Sequence, residues 1–529
     1  MANNRYNTLP LKRSNKIMAL ILAAGLSNRL RRLTRHKPKA LLAVAGVPIL
    51  FRILNALKQI GVKEVFIVTG YRGEYIRKRI GKFHSGLKIN YIYNSNFRKG
   101  NLYSLLAAKH YIKENFLLLM SDHIYDTRIL KGLINCNLKG TVMIAADRRK
   151  PLPEDTKILE RNNRIISIGK KIRGNCIDTG AFLCSPEIFS YAERAAIEGE
   201  RELSSAITAV AADGGARIFD ITEIPAYLPE MRRELKPFWT DIDREEDIKN
   251  AENLIIENSG KGRGDFLTAL INRPIENRIV KFLVKTSIKP NKIKILTNII
   301  AYAATLLFLK GYFFAASFTS FITSLMSAVN AKLSTVKGMN PEIEKMDHPF
   351  EFLFEHSWYI AFSFAIVHKY GMITILLGMF IILLDAFSEF CRQTFNEITG
   401  IPLDDYGRTE KIFRKFDGRK NNYIFLIFTG VVFKIPFYSL AAILSLSAIS
   451  AIFYSTRAIW NLYNEERKSL PMAELMIYSG TSKQNIWWTI KNYLNSLFAD
   501  RKPIKVRSRD GIYQGNRTEL CDREVEEGI

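Results

Sequence analysis

Cysteine is scarce: five residues in 529, Cys136, Cys176, Cys184, Cys391 and Cys521. Their spacing matches no metal-ligand pattern, which excludes a cysteine-held metal centre and suggests a reducing compartment with no catalytic thiol. Acid is short as well, 51 Asp and Glu standing against 77 Lys and Arg for a net charge of +26. Such an excess would suit nucleic acid. Much of it, however, flanks long apolar runs, as the positive-inside rule expects of an integral membrane protein, so no nucleic-acid partner is expected. Long apolar runs are themselves missing from residues 1 to about 260 and crowd into 290–460. The first stretch therefore reads as soluble. Residues 1–16 are polar and basic, and "IMALILAAG" is too short and too soon broken by glycine to cross a bilayer, so no cleavable signal is expected. No internal repeat is visible.

What is present divides the chain. Between residues 17 and 256, "IMALILAAG", "EVFIVTGY", "INYIYN", "FLLLMSDH" and "TVMIAADRR" read as strands, with "ILFRILNALKQIG" and "LYSLLAAKHYIKE" as helices among them. That alternation predicts a mostly parallel sheet covered on both faces. The expected boundaries are 17–257 for this α/β domain, 258–291 for a glycine-rich linker and an interfacial helix, 292–460 for an all-α six-span transmembrane domain, and 461–529 for a cytosolic tail. The six spans fall near 293–309, 312–330, 350–367, 371–388, 423–435 and 437–457. Long basic loops follow the second and fourth, and tiny ones follow the first, third and fifth. That asymmetry predicts a multi-pass protein of the cell membrane with both termini and the first domain cytosolic.

The densest chemistry lies in "LILAAGLSNRLRRLTRHKPKALLAVAGVPIL". A strand ends at Ala24, and the small residues Gly25 and Ser27 allow the backbone to approach a triphosphate, while Arg29 and Lys39 can meet its oxygens. Together with "GNLYSL", "MSDH", "TKI", "GKKI", "DTGAFL" and "WTDIDREEDI" in this order, the stretch resembles the Rossmann-like nucleotidyltransferases, and among them the CTP:inositol-1-phosphate cytidylyltransferases, over residues 17–256. The resemblance implies that Ala24, Gly25, Ser27, Arg29 and Lys39 hold the triphosphate and that Asn101 and Ser104 lie near the base. It implies Mg²⁺ on Asp122 and Asp243, with Asp241 beside them, and a phosphorylated polyol facing Lys157, Lys170, Asp178 and Glu202. Lys39, Arg29 and Asp122 would then carry catalysis. The chemistry agrees: two anions must meet when a phosphate attacks the α-phosphorus of CTP, and a carboxylate-held cation and a lysine relieve that repulsion. His36 and His123 read as neighbours of these motifs rather than participants.

Residues 270–460 resemble the membrane domain of CDP-alcohol phosphotransferases. That family's signature is D-x-x-D-G-x-x-A-R followed by G-x-x-x-D-x-x-x-D. The first part falls on "SLMSAVNAK", where Ser324 and Ser327 replace aspartates, Ala328 the glycine and Lys332 the arginine, and Ala331 matches. The second falls on "DHPFEFLFE", with Asp347 for glycine and Glu351 and Glu355 for aspartates. Asp347, Glu351 and Glu355 are each displaced by about 40° on a helix, so they share one face. Serine hydroxyls are poor Mg²⁺ ligands, so this second site is expected to be degenerate. The reading is a membrane-tethered cytidylyltransferase with a phosphotransferase-like anchor, which by resemblance forms a dimer through the transmembrane domain. Two alternatives stay open: a fully bifunctional enzyme making a di-inositol phosphate or a phospholipid headgroup, and a non-catalytic scaffold for an active phosphotransferase.

Overall fold

A computed structural model describes residues 17–26, 30–35, 37–81, 86–228, 233–260, 272–338, 347–418 and 420–469. Ser27, Arg29 and His36 lie outside them, as does the tail from 470. Residues up to Ala458 cluster as one compact unit and those from Ile459 as another.

The strands expected from the apolar runs form where they were read: Met18–Ala23, Glu64–Thr69, Lys88–Tyr93, Phe116–Met120 and Val142–Asp147. They join a nine-stranded sheet. Along Met18–Ala23, Ala19, Ile21 and Ala23 pack into one core while Leu20 and Leu22 pack into another, because successive side chains leave opposite faces of a strand. Both faces are buried, which is why these strands read as continuous apolar runs.

The expectation of a mostly parallel sheet is corrected. Pairings among Lys88–Tyr93, Glu64–Thr69, Met18–Ala23 and Phe116–Met120 are parallel. Cys176–Cys184, however, runs antiparallel to both Phe116–Met120 and Val142–Asp147, and Arg164–Gly169 runs antiparallel to both of its neighbours. Part of this antiparallel pairing comes from a hairpin. Asn162 (φ 54°) and Asn163 (φ 61°) turn Lys157–Arg161 straight back into Arg164–Gly169, and a turn this tight can join only antiparallel strands. "LYSLLAAKHYIKE" also yields a shorter helix, Asn101–Leu106, after which Ala108 and Lys109 bond back three residues and tighten the chain into turns.

The first core does not stop at the sheet domain. Val280 and Val284 from helix Arg273–Val284, and Val329, Leu333 and Val336 from helix Phe313–Val336, belong to the same buried cluster as Ile49, Leu50 and Ile53. Gly46 marks the seam. It takes φ 74° in the turn between Ala43–Val44 and Val47–Pro48, and a Cβ there would stand 2.7 Å from the carbonyl oxygen of Val284. Only glycine satisfies both demands.

Among the described residues, four helices are long and apolar enough to cross a membrane: Pro290–Leu309, Phe313–Val336, Ile373–Thr399 and Pro436–Asn464. Large apolar side chains such as Ile299, Leu306, Leu383 and Ile452 are left exposed on them. The other two expected spans are also helices, Asp347–Ala365 and Lys420–Val432, but neither meets the same measure. The first carries the acids, and the second, at 13 residues, is short of the ~20 needed to span.

Candidate active site

Lys39 opens a single 3₁₀ turn, Lys39–Leu41, behind the extended Pro38. Ala40 and Leu41 bury themselves in the first core and so fix where the lysine starts. Its ammonium donates to Asp122 Oδ2 and to Asp243 Oδ1, at 2.8 Å each. The two acids are distant in sequence but close in space for a stated reason. Asp122 follows strand Phe116–Met120, and the next three residues, His123–Tyr125, pair antiparallel with Trp239–Asp241. The Ile242 amide then donates to the Asp122 carbonyl at 3.0 Å, which delivers Asp243 beside it. Asp247 accepts from the amides of Asp243 and Arg244 and holds this segment at the start of helix Glu245–Asn258.

Burial works against charge on Asp122, yet Lys39 and His123 outweigh it and hold the carboxyl well below the usual carboxylate range. Lys39 is the mirror case: burial opposes its charge, and Asp122 and Asp243 overcome that and raise it. Asp241 stands opposite His123 in the ladder, and burial pushes it up while His123 opposes. The Lys39 ammonium bridges the other two aspartates, not this one.

His123 takes a part that sequence did not assign to it. Its Nδ1 lies 2.8 Å from Asp122 Oδ1, and its ring stacks 5.9 Å from Tyr125 and 6.0 Å from Trp239. Gly180 (φ 76°) closes over the edge of the ring, where a Cβ would come within 2.9 Å of it. The imidazole fixes one oxygen of Asp122 so that the other meets Lys39. Trp239 is held in turn by Asp147, which accepts from its indole N–H at 2.9 Å. Periodicity could not have shown this; the adjacency in "SDH" was the available signal.

Ala24 is buried at the end of the first strand, followed by exposed Gly25. Asn101 Oδ1 accepts from the Leu203 amide at 2.7 Å and caps helix Leu203–Ala212, whose preceding residue is the exposed Glu202. Ser104 accepts from Asn94 at 3.1 Å. Lys157 and Lys170 lie together, the first donating to the carbonyl of the second at 2.6 Å. Asp178 accepts from the Gly180 amide at 2.8 Å, and burial pushes its carboxyl up to about 6 against that bond and the nearby His123. A raised folded value means that the native state holds this proton more tightly than the unfolded chain. Its contribution to stability should therefore be full below about pH 4 and gone above about pH 6. Asp178→Asn should flatten the melting temperature across that window. An unchanged slope would show that another group is responsible.

The second set is partly brought together. Glu351 and Glu355 line one cavity of about 250 Å³ together with His356, Asp385 and Glu389, as the shared helix face predicted. Asp347 begins the helix, but its side chain lies outside the described residues. Ser324 and Ser327 are buried and do not line that cavity. Lys332 pairs with Glu276 at 3.7 Å and also donates to Asn277.

Residues 19–219 match the MobA-like NTP transferase domain. A "Bifunctional IPC transferase and DIPP synthase" of Aquifex aeolicus is 33% identical over 324 residues, covering 60% of this chain and 69% of the relative. One of the same name from Thermococcus kodakarensis is 25% identical over 460 residues, covering 84% of this chain and 96% of the relative. The solved inositol-1-phosphate CTP transferase from T. maritima is 26% identical, with a TM-score of 0.39, over 44% of this chain and 93% of that one. The chain is an enzyme with an N-terminal nucleotidyltransferase domain, and it belongs to the family of the bifunctional IPC transferases and DIPP synthases.

Proposed function

We propose that this chain transfers CMP from CTP to a phosphorylated polyol, inositol-1-phosphate before others, and releases pyrophosphate. The observation that carries the reading is the Lys39 ammonium clasped by Asp122 and Asp243 at 2.8 Å each. Two carboxylates converging on one cation are the donor set that Mg²⁺ takes when substrate phosphates and water complete its shell. Asp122 and Asp243 would hold it, and when bound it supplies positive charge against the phosphate oxygens.

Lys39 is the fixed cation of the site and stabilises the charge gathering on the transferred phosphoryl group. A phosphate dianion is already nucleophilic, so no side chain need remove a proton. One of its oxygens bonds to the α-phosphorus while the bond to the β-phosphate oxygen breaks, and pyrophosphate leaves with that electron pair. His123 keeps Asp122 aimed, and Asp241 faces His123 across the ladder. Gly25, Ser27 and Arg29 are assigned to the triphosphate and Asn101 and Ser104 to the base. Lys157, Lys170, Asp178 and Glu202 are assigned to the phospho-alcohol.

The helical half anchors this chemistry at the membrane, with the nucleotidyltransferase domain and both termini in the cytosol and six helices crossing if Asp347–Ala365 and Lys420–Val432 join the four longer ones. Replacement of two metal-binding acids by Ser324 and Ser327 supports a half that no longer performs metal-dependent phosphoryl transfer. The name carried by the relatives favours a second reading, in which both halves act. Detergent-purified protein given CTP, inositol-1-phosphate and Mg²⁺ separates the two. CDP-inositol should accumulate in step with pyrophosphate; its conversion into a product with two inositol units would establish the second reading.

A further inference from the structure

The cavity between helices Asp347–Ala365 and Ile373–Thr399 gathers Glu351, Glu355, Asp385 and Glu389 in a chain read as membrane-embedded. Unbalanced carboxylates in such a place are costly, and a divalent cation is the usual remedy. Here each acid is met by a group of the protein. Lys420 Nζ lies 3.4 Å from Glu351 Oε2, and the Tyr359 hydroxyl donates to Glu355 at 2.9 Å. Tyr423 and Ser447 both donate to Asp385 Oδ1, at 2.9 and 3.0 Å. Arg392 Nη2 donates to Glu389 at 2.6 Å.

The start of helix Lys420–Val432 connects this network to the altered signature. The Ser324 hydroxyl, standing where the related phosphotransferases carry an aspartate, donates to Asn421 Oδ1 at 2.5 Å. The neighbouring Lys420 reaches Glu351 and lies over the Phe354 ring, 5.4 Å from its centre. An aspartate at 324 could meet only the amide nitrogen of Asn421 and not its acceptor oxygen. Serine can donate to that oxygen, which lets the helix start seat itself and bring Lys420 over Glu351.

We propose that Lys420 is a built-in cation of this cavity, beside the Arg392 that meets Glu389: its ammonium takes the place of a divalent metal as counter-ion to Glu351, and the Ser324–Asn421 bond sets the helix start that positions it. The inference rests on the reading of this half as metal-free. It makes the cavity a structural ion-pair site whose integrity is indifferent to Mg²⁺.

Two measurements on the detergent-solubilised full chain test it. The first titrates Mn²⁺ by electron paramagnetic resonance in an Asp122→Ala/Asp243→Ala background, so that the nucleotidyltransferase site is silent. No tight Mn²⁺ should bind. A bound ion that Glu351→Gln removes would overturn both the metal-free reading and the inference. The second is a melting cycle in the same background. Lys420→Met should lower the melting temperature by several degrees, Glu351→Gln in addition should restore most of the loss, and Lys420→Met alone should acquire stabilisation by millimolar Mg²⁺ that the parent lacks. If Lys420→Met does not alter melting, or Glu351→Gln restores nothing while Mn²⁺ still fails to bind, the half is metal-free but Lys420 is not its counter-ion. Lys420→Arg, which keeps the charge, should melt like the parent; a loss equal to that of Lys420→Met would assign the effect to packing over Phe354 instead.

Discussion

Asp122→Ala should cut pyrophosphate release from CTP by about 10²–10³-fold, the range seen when one preorganised charge is removed from a transition-state site. The argument is local. One carboxylate oxygen meets Lys39 and the other meets His123, so the substitution removes a candidate metal ligand and also frees both neighbours from the geometry they share. Because Lys39 and His123 hold the Asp122 carboxyl well below the usual range, its contribution is present above about pH 3.9 and lost only as pH falls through the lowered folded value. An acid limb of the pH–rate profile near neutrality therefore belongs to another group, and Asp122→Asn should lower the plateau without moving that limb. Pyrophosphate release at the parental rate from Asp122→Ala would refute the site assignment.

Lys39→Met should reduce turnover by about 10²-fold as well, with the opposite effect on metal binding. Removing the ammonium leaves Asp122 and Asp243 facing one another without their shared cation, so Mn²⁺ affinity should rise as turnover falls. Electron paramagnetic resonance and the pyrophosphate assay, run on one preparation, read both signs. Weaker Mn²⁺ binding would mean that the lysine assembles the carboxylates and does not compete with the metal for them. The same variant addresses the scaffold alternative: a cellular role that survives loss of turnover would be the role of a scaffold, and one that disappears would be the role of an enzyme.

Much of the nucleotidyltransferase domain could be read directly. Strands such as Phe116–Met120, buried on both faces, write themselves as apolar runs, and the order of the phosphate-handling motifs follows the chain. The hairpin Lys157–Gly169 was missed because Asn162 and Asn163 announce a turn only to a reader already expecting strands on both sides. The role of His123 is not legible, because nothing in "MSDH" says which way its ring points. In the helical half the unusual Ser324 and Ser327 were legible, but not the contacts that Ser324 and Glu351 make. Lys420 and Asn421 lie far along the chain from Glu351 and Ser324, and no periodicity links them.

Sequence alone determined that a nucleotidyltransferase domain is followed by a helical region with apolar helices, because burial pattern is a property of residue kind and local order. Tertiary structure decided which charges share a cation. Lys39 bridges Asp122 and Asp243, and Lys420 meets Glu351, because electrostatic pairing depends on distances of about 3 Å that only the folded chain sets.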